Sequence, residues 1–217
     1  MSRYDVVVIG ATPGGIAAAI SAARLGRCVV LVEAHARVGG MAASGLGKSD
    51  IEHRDMIQGL FGEFVGRVHA HYLDRYGAGS RDVALCRDGY YYEPSVAERV
   101  FEAMLGAEPG VEVLRATRLD GAETEGGRIS AAMVTPRRTG AVQRLEAQVF
   151  IDATYEGDLY AAAGAAHRIG REGRDAHGEP HAGCVYFDYQ NRRFLPGTTH
   201  RGDDRLPAYT YRLCLTT

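Results

Sequence analysis

Tyr4-Asp-Val-Val-Val-Ile-Gly10-Ala-Thr-Pro-Gly-Gly15 is the stretch on which the fold turns. Tyr4–Ile9 is dominated by β-branched residues, the pattern of a strand buried on both faces of a parallel sheet. Gly10–Gly15 reads as a turn. Pro13 sits where a helix can begin, because a first-turn N–H has no intrahelical partner to lose. Ile16–Leu25 is alanine-rich and strongly helix-forming, and Gly26 is the expected stop. Cys28–Glu33 reads as a second buried strand. Strand, glycine turn, helix, glycine stop and strand follow one another in about 30 residues, the span of one βαβ unit.

The turn departs by one residue from the dinucleotide fingerprint. That fingerprint has three glycines: one for the tight turn, one to admit the pyrophosphate, one to let helix and strand pack closely. Gly10 and Gly15 fill the first and third places, and Thr12 replaces the second. Thr12 puts a Cβ where a phosphate must approach, but its hydroxyl could donate to a phosphate oxygen. The helix from Pro13 offers free N–H groups and a positive dipole end. On these six residues alone, a turn made only for packing stays open. Glu33, 23 positions after Gly10, stands where an acid accepts ribose hydroxyls. Its charge repels a 2′-phosphate. A plain strand-end carboxylate is the alternative.

Two further segments bear on the same chemistry. Arg37-Val-Gly-Gly-Met41 places a diglycine after the ribose acid, as FAD-binding proteins do and NAD dehydrogenases do not. It reads as a loop passing so close to the cofactor's phosphate–ribityl stretch that side chains would clash, with an ordinary loop as the alternative. Ile151-Asp-Ala-Thr-Tyr-Glu-Gly-Asp-Leu159 ends a buried strand, Gln148–Ile151, and precedes an alanine-rich helix, Tyr160–Ala165. It looks like a strand end brought back to the flavin, with an exposed acidic turn as the alternative.

The remaining pattern is mixed. Arg54–Tyr76 is helical in period, with Gly59, Gly62 and Gly66 marking close packing or a break. Val83–Cys86 and Tyr90–Tyr92 flank Arg87-Asp88-Gly89 as a hairpin. Ser95 and Glu98 have capping-box spacing for a helix through Leu105. Val111–Leu114, Arg118–Ala122, Arg128–Thr135 and Val142–Ile151 read as strands, the last three forming a meander. From Gly164 the chain is polar, glycine-rich and irregular, and Tyr209–Thr217 reads as a strand. Tyr90-Tyr-Tyr92 is a strand with packed rings rather than a stacking platform. His177, His181 and Glu179, and Arg171, Glu172 and Arg212, are candidates to meet a substrate, against ordinary loop roles.

Bulk properties narrow the partners. Of 217 residues, 46% are hydrophobic and 24% charged, the composition of a soluble globular protein. A net charge of −2 gives no reason to expect nucleic acid or an acidic membrane surface. Glycine is overused at 28 residues, which suggests tight turns and close backbone approach. Cys28, Cys86, Cys184 and Cys214 form no CxxC pair, so no metal site is expected. Neither a signal peptide nor a membrane-spanning stretch is evident, and a cytoplasmic location is expected.

These motifs, in this order, resemble the FAD-dependent oxidoreductases of the glutathione-reductase-like, two-dinucleotide-binding-fold superfamily. Within it they resemble a bacterial family whose fingerprint often reads Gly-x-Thr-Pro-x-Gly. Gly45–Asp50, Glu93–Ala97, Asp152–Leu159, Gly170–Glu172, Gly178-Glu179 and Tyr209–Thr216 share in the likeness. The resemblance implies an α/β, Rossmann-like FAD-binding fold and an enzyme that passes a hydride from a small-molecule substrate to non-covalent FAD. It implies that Gly10, Thr12, Pro13, Gly14 and Gly15 hold the pyrophosphate, Glu33 and Ala34 the adenosine side, and Gly39, Gly40 and Met41 the middle. The Leu119 backbone would meet the adenine, and Ala153, Thr154 and Asp158 the flavin side. It implies residues 1–50 and 111–165 as the FAD-binding domain, 51–110 as a mainly helical insertion, and 166–217 as the start of a substrate or cap domain. Family proteins are much longer, so the chain is expected to be an N-terminal portion. A non-catalytic dinucleotide-binding module and an NAD-dependent enzyme remain alternatives. The catalytic residues and the oligomeric state are not legible.

Overall fold

Alternate residues of a strand point to opposite faces, so a run such as Val6-Val-Val-Ile9 can be buried only where both faces are covered. The computed structural model, which describes residues 3–206, meets that condition. β1 (Arg3–Ile9) pairs in parallel with β2 (Val29–Val32), Val6 opposite Val29 and Ile9 opposite Val32. β3 (Val111–Leu114) extends the sheet in parallel beyond β2. On the other side of β1 lies β6 (Gln143–Asp152), again parallel, followed by β5 (Arg128–Pro136) and β4 (Thr117–Glu125) as an antiparallel meander. The order is β3-β2-β1-β6-β5-β4, an α/β, Rossmann-like arrangement.

Each face has its own core. Val6, Val8, Val29 and Leu31 pack on one side against Ile16, Ala19 and Ile20 of α1 (Pro13–Arg24). The same cluster takes in Phe64, Val65 and Val68 of α3 (Gly59–Tyr76) and Phe101 and Met104 of α5 (Pro94–Gly106). The helices between β2 and β3 therefore share the core of the βαβ unit. Val7, Ile9, Val30 and Val32 face the other side, against Ala132, Val134, Leu145 and Leu159.

Four expectations are corrected. Val83–Tyr92 is no hairpin: α4 (Arg81–Leu85) is capped by Ser80 and runs into a tight turn, Arg87–Gly89. Gly89 lies against α3, where a Cβ would overlap the Val65 carbonyl oxygen, so packing on a helix replaces strand pairing. Tyr90 and Tyr92 are buried among the rings of Phe61 and Phe64. α5 has Glu93 at its N-cap position, with no side-chain capping bond, and no Ser95–Glu98 box forms. Pro94 occupies the first helical position, where its fixed φ and missing N–H suit it, and Ser95 lies inside the helix. The helix expected over Arg54–Tyr76 breaks at Ile57-Gln58 after a short 3₁₀ turn. Finally, β6 is not buried at its end: Val149 is 50% exposed. β5 pairs with β6 only over Gln143–Glu146, so among the described residues the rest of β6 has β1 as its sole strand partner.

The one-turn helix α2 (Gly40–Ala43) follows β2, and the short α6 (Asp158–Ala162) follows β6. Among the described residues, 166–206 form a second compact unit. It carries α7 (Arg174–His177) and a two-stranded pair, β7 (Phe187–Asp188) and β8 (Arg193–Phe194). Tyr209–Thr217 lies outside the described residues. Among the described residues no helix is long and apolar enough to cross a membrane.

Candidate functional site

Three strands end together at one edge of the sheet. β1 delivers Gly10, β2 delivers Glu33 and β6 delivers Thr154, and a cleft of about 290 Å³ opens there. The crevice at the carboxyl ends of parallel strands is where open α/β sheets bind their ligands.

Packing explains two of the fingerprint glycines. Gly10 has φ +96°, and a Cβ on it would come within 2.8 Å of the Ala153 carbonyl oxygen. At Gly15 a Cβ would overlap the Gly10 carbonyl oxygen. Helix, turn and β6 thus meet with no room for side chains. Gly14 differs: it is exposed, and a Cβ would meet only Thr12 Oγ1, at 3.8 Å. The protein's own packing does not require glycine there. Gly14 also lies in the first helical turn, where the N–H has no intrahelical acceptor. An open-faced glycine with an outward N–H suits the close approach of a phosphate.

Thr12 does something other than the sequence suggests. Its hydroxyl caps α1, accepting the Gly15 N–H at 3.2 Å, and donates to the Ala153 carbonyl at 2.9 Å. Its only proton is therefore spent on the protein rather than held ready for a phosphate. Thr12 lines the cleft as a cap that ties the glycine turn to the end of β6.

Glu33 is 7% exposed and fixed at both oxygens. Oε2 accepts the Ala11 N–H at 2.8 Å, and Oε1 accepts the His35 N–H at 2.8 Å. A carboxylate has about four lone-pair sites, so two remain for hydroxyl donors. The backbone around Glu33 is held in turn by Leu114 and Thr117. That pairing brings Thr117, Arg118 and Leu119 to the cleft wall.

The diglycine has reasons internal to the protein. Gly39 donates its N–H to the Ala11 carbonyl at 2.7 Å and adopts φ +100°. A Cβ there would come within 2.7 Å of the Phe101 ring. At Gly40 a Cβ would overlap the Tyr155 hydroxyl, which accepts the Met41 N–H at 2.8 Å. The turn after β6 is held by Asp152. Its Oδ1 accepts from the Thr154 N–H and hydroxyl, and its Oδ2 from the N–H groups of Leu159 and Tyr160. Thr154 Oγ1 then accepts the N–H groups of Gly157 and Asp158.

Of the residues singled out in the sequence, the cleft brings together Gly10, Thr12, Glu33, Ala34, Gly40, Met41, Leu119, Thr154 and Asp158. Gly15, Gly39 and Ala153 pack behind its lining residues, and Pro13 and Gly14 lie outside it in the first turn of α1. His35, Ser44, Thr117, Arg118, Tyr155 and Glu156 also line it. Only Tyr155 and Glu156, inside the Asp152–Leu159 motif, carried a sequence signal. Among the described residues, no group of three or more His, Cys, Asp and Glu could hold a metal ion.

The substrate candidates beyond Ala166 are committed elsewhere. Arg171 forms a two-pronged ion pair with Asp203, and Glu172 lies within ion-pair distance of Arg168 and His177. His181 packs edge-on against Phe187, ring centroids 4.5 Å apart. Arg212 lies outside the described residues.

The sheet order and the strand-end cleft define a dinucleotide-binding α/β protein. A family model described as FAD dependent oxidoreductase matches residues 5–217, and the chain belongs to that family. Its cofactor is FAD. The digeranylgeranylglycerophospholipid reductase of Methanothrix thermoacetophila is 33% identical over 158 residues, covering 70% of this chain and 39% of that protein. A soluble pyridine nucleotide transhydrogenase of Mycobacterium tuberculosis is 48% identical over 44 residues, 20% of this chain and 9% of its own length. The chain thus spans well under half of these relatives. Among solved structures, the glycerol-3-phosphate dehydrogenase of Bacillus halodurans complexed with FAD superposes with a TM-score of 0.49 at 14% identity, covering 76% of this chain and 37% of that one. A myxobacterial chondrochloren halogenase gives 0.48 at 20% identity, covering 71% and 38%.

Proposed function

We propose that this chain is the cofactor-holding, N-terminal part of a longer oxidoreductase of the glutathione-reductase-like kind, passing a hydride from a small-molecule substrate to non-covalent FAD. One observation carries the reading: Gly10, Glu33, Met41, Leu119 and Thr154, far apart in sequence, line a single cleft at the strand ends. The 39% share of the archaeal reductase's length supports a part of a longer enzyme.

In this reading Glu33 accepts the adenosine ribose hydroxyls with its two uncommitted lone-pair sites, and Ala34 and Leu119 flank the adenine. The Gly10–Gly15 turn holds the pyrophosphate. Gly14 contributes the open face and N–H, Gly10, Pro13 and Gly15 shape the turn, and Thr12 keeps it closed against Ala153. Gly39–Met41 border the middle of the cofactor, and Ala153, Thr154 and Asp158 its flavin side. Bound there, FAD supplies a two-electron acceptor for a hydride. The buried carboxylate at Glu33 excludes a 2′-phosphate by charge. The net charge of −2 supports a small molecule, rather than nucleic acid or a membrane surface, as partner. The free thiols of Cys28, Cys86 and Cys184 support a reducing, cytoplasmic location.

The test is direct. Purified protein mixed with FAD and passed through a desalting column should keep visible flavin absorbance and melt higher than without FAD. NADP should give no such shift. If flavin elutes free and no thermal shift occurs, the reading of this cleft fails.

A further inference from the structure

The two cofactor-facing turns are joined by one side chain. Tyr155, from the turn after β6, lays its hydroxyl on Gly40 and accepts the Met41 N–H at 2.8 Å. The contact is close: a Cβ on Gly40 would overlap the hydroxyl and lie 3.1 Å from Cζ of the ring. The two turns are more than a hundred residues apart in sequence, and both line the cleft. Each has its own anchor. Gly39 is tied to Ala11 by backbone, and Thr154 to Asp152. Those anchors link the turns only indirectly, through the Ile9–Thr12 segment, to which Gly39 is bonded at Ala11 and Ala153 at Ile9 and Thr12; the Tyr155–Met41 hydrogen bond joins them directly.

We propose that Tyr155 is a positioning residue that latches the Gly39–Met41 turn to the Asp152–Asp158 turn, setting the width of the cleft before FAD enters. The proposal rests on the reading of this cleft as the FAD site. A preset width lowers the ordering cost of binding, because neither turn has to be immobilised by the cofactor. It also gives Gly40 a role that the sequence does not suggest: glycine is needed there to admit the tyrosine hydroxyl.

The experiment measures FAD affinity, by flavin fluorescence, and apo thermal midpoints for the full chain and four variants. Tyr155→Phe removes the hydroxyl and keeps the ring. Losing one neutral hydrogen bond should weaken FAD binding about three- to tenfold. The apo midpoint should move little, since the tyrosine is 53% exposed. Tyr155→Ala should weaken binding at least as much. Gly40→Ala should weaken it strongly in the unaltered chain and far less in the Tyr155→Ala background, because the backbone strain of alanine at φ +50° is common to both and cancels in the cycle. If Tyr155→Phe binds FAD as the unaltered chain does, or more tightly, the latch is wrong while the cofactor site stands. If its apo midpoint falls with affinity unchanged, the tyrosine is merely structural and the latch is again wrong. If the unaltered chain binds no FAD, the site reading fails and takes the latch with it.

Discussion

Replacing Glu33 by glutamine keeps the side chain's shape but changes one acceptor oxygen into an NH₂ group. Both oxygens of Glu33 receive backbone N–H groups, from Ala11 and from His35, each at 2.8 Å. Whichever way the amide turns, it sets donor against donor at one of them. A hydrogen bond to a charged group contributes about 1.5–3 kcal/mol, and a buried N–H left without an acceptor costs about 1–3 kcal/mol. Taking the loss as about 2–3 kcal/mol, and about 2–4 °C per kcal/mol for a chain of this size, Glu33→Gln should lower the melting midpoint by about 4–12 °C. With the ribose placed at Glu33 as proposed, FAD affinity should fall about tenfold or more, because a charged acceptor is lost. Far-UV circular dichroism melts with and without FAD read both effects, because the ligand-induced shift reports the dissociation constant. A midpoint within about 1 °C of the unaltered protein, where about 4 °C is the least expected, together with an unchanged FAD shift, would refute the idea that this carboxylate anchors the cleft.

Three other outcomes follow from the same geometry. Gly14→Ala should leave stability unchanged or raised by up to about 1 kcal/mol through helix propensity while weakening FAD binding. Gly15→Ala, whose Cβ would overlap the Gly10 carbonyl, should cost stability outright, so paired melts and FAD titrations separate the two glycines. Asp152→Ala removes an acceptor of four hydrogen bonds and should speed amide exchange at Thr154, Leu159 and Tyr160 before it affects the β1–β2 amides. At acid pH, Glu63 should matter: the Arg24 guanidinium hydrogen-bonded to it, helped by Arg67, holds its carboxyl below the ordinary 4.5. A depressed carboxyl stabilises the fold above the unfolded value and loses that contribution as pH falls through the folded value. Glu63→Gln should therefore flatten part of the stability loss below about pH 4.5 in pH-dependent melts.

The sequence by itself determined the βαβ unit, the meander and the presence of an acid, Glu33, at the end of β2. Those features are local: β-branched runs, an alanine-rich helix with proline and glycine at its ends, and an acid at a set distance from a glycine turn. Each is written in neighbouring residues, and the strand and helix bounds there agree within a few positions. Partnership was much less legible. The diglycine announced a close approach, and the tertiary structure decided that Phe101 approaches Gly39 and Tyr155 approaches Gly40. Thr12 could be read as a phosphate donor until its hydroxyl was found between Gly15 and Ala153, a partner 141 positions away. The hairpin expected around Arg87–Gly89 fails for the same reason, because α3 offers Gly89 a packing surface that no local pattern contains. A chain's periodicity records which of its own faces is apolar; it holds no record of which distant side chain completes a hydrogen bond or fills the space beside a glycine. Here the sheet sets the four motifs side by side at its strand ends, and distant partners such as Thr12 with Ala153 and Tyr155 with Met41 tie them to one another.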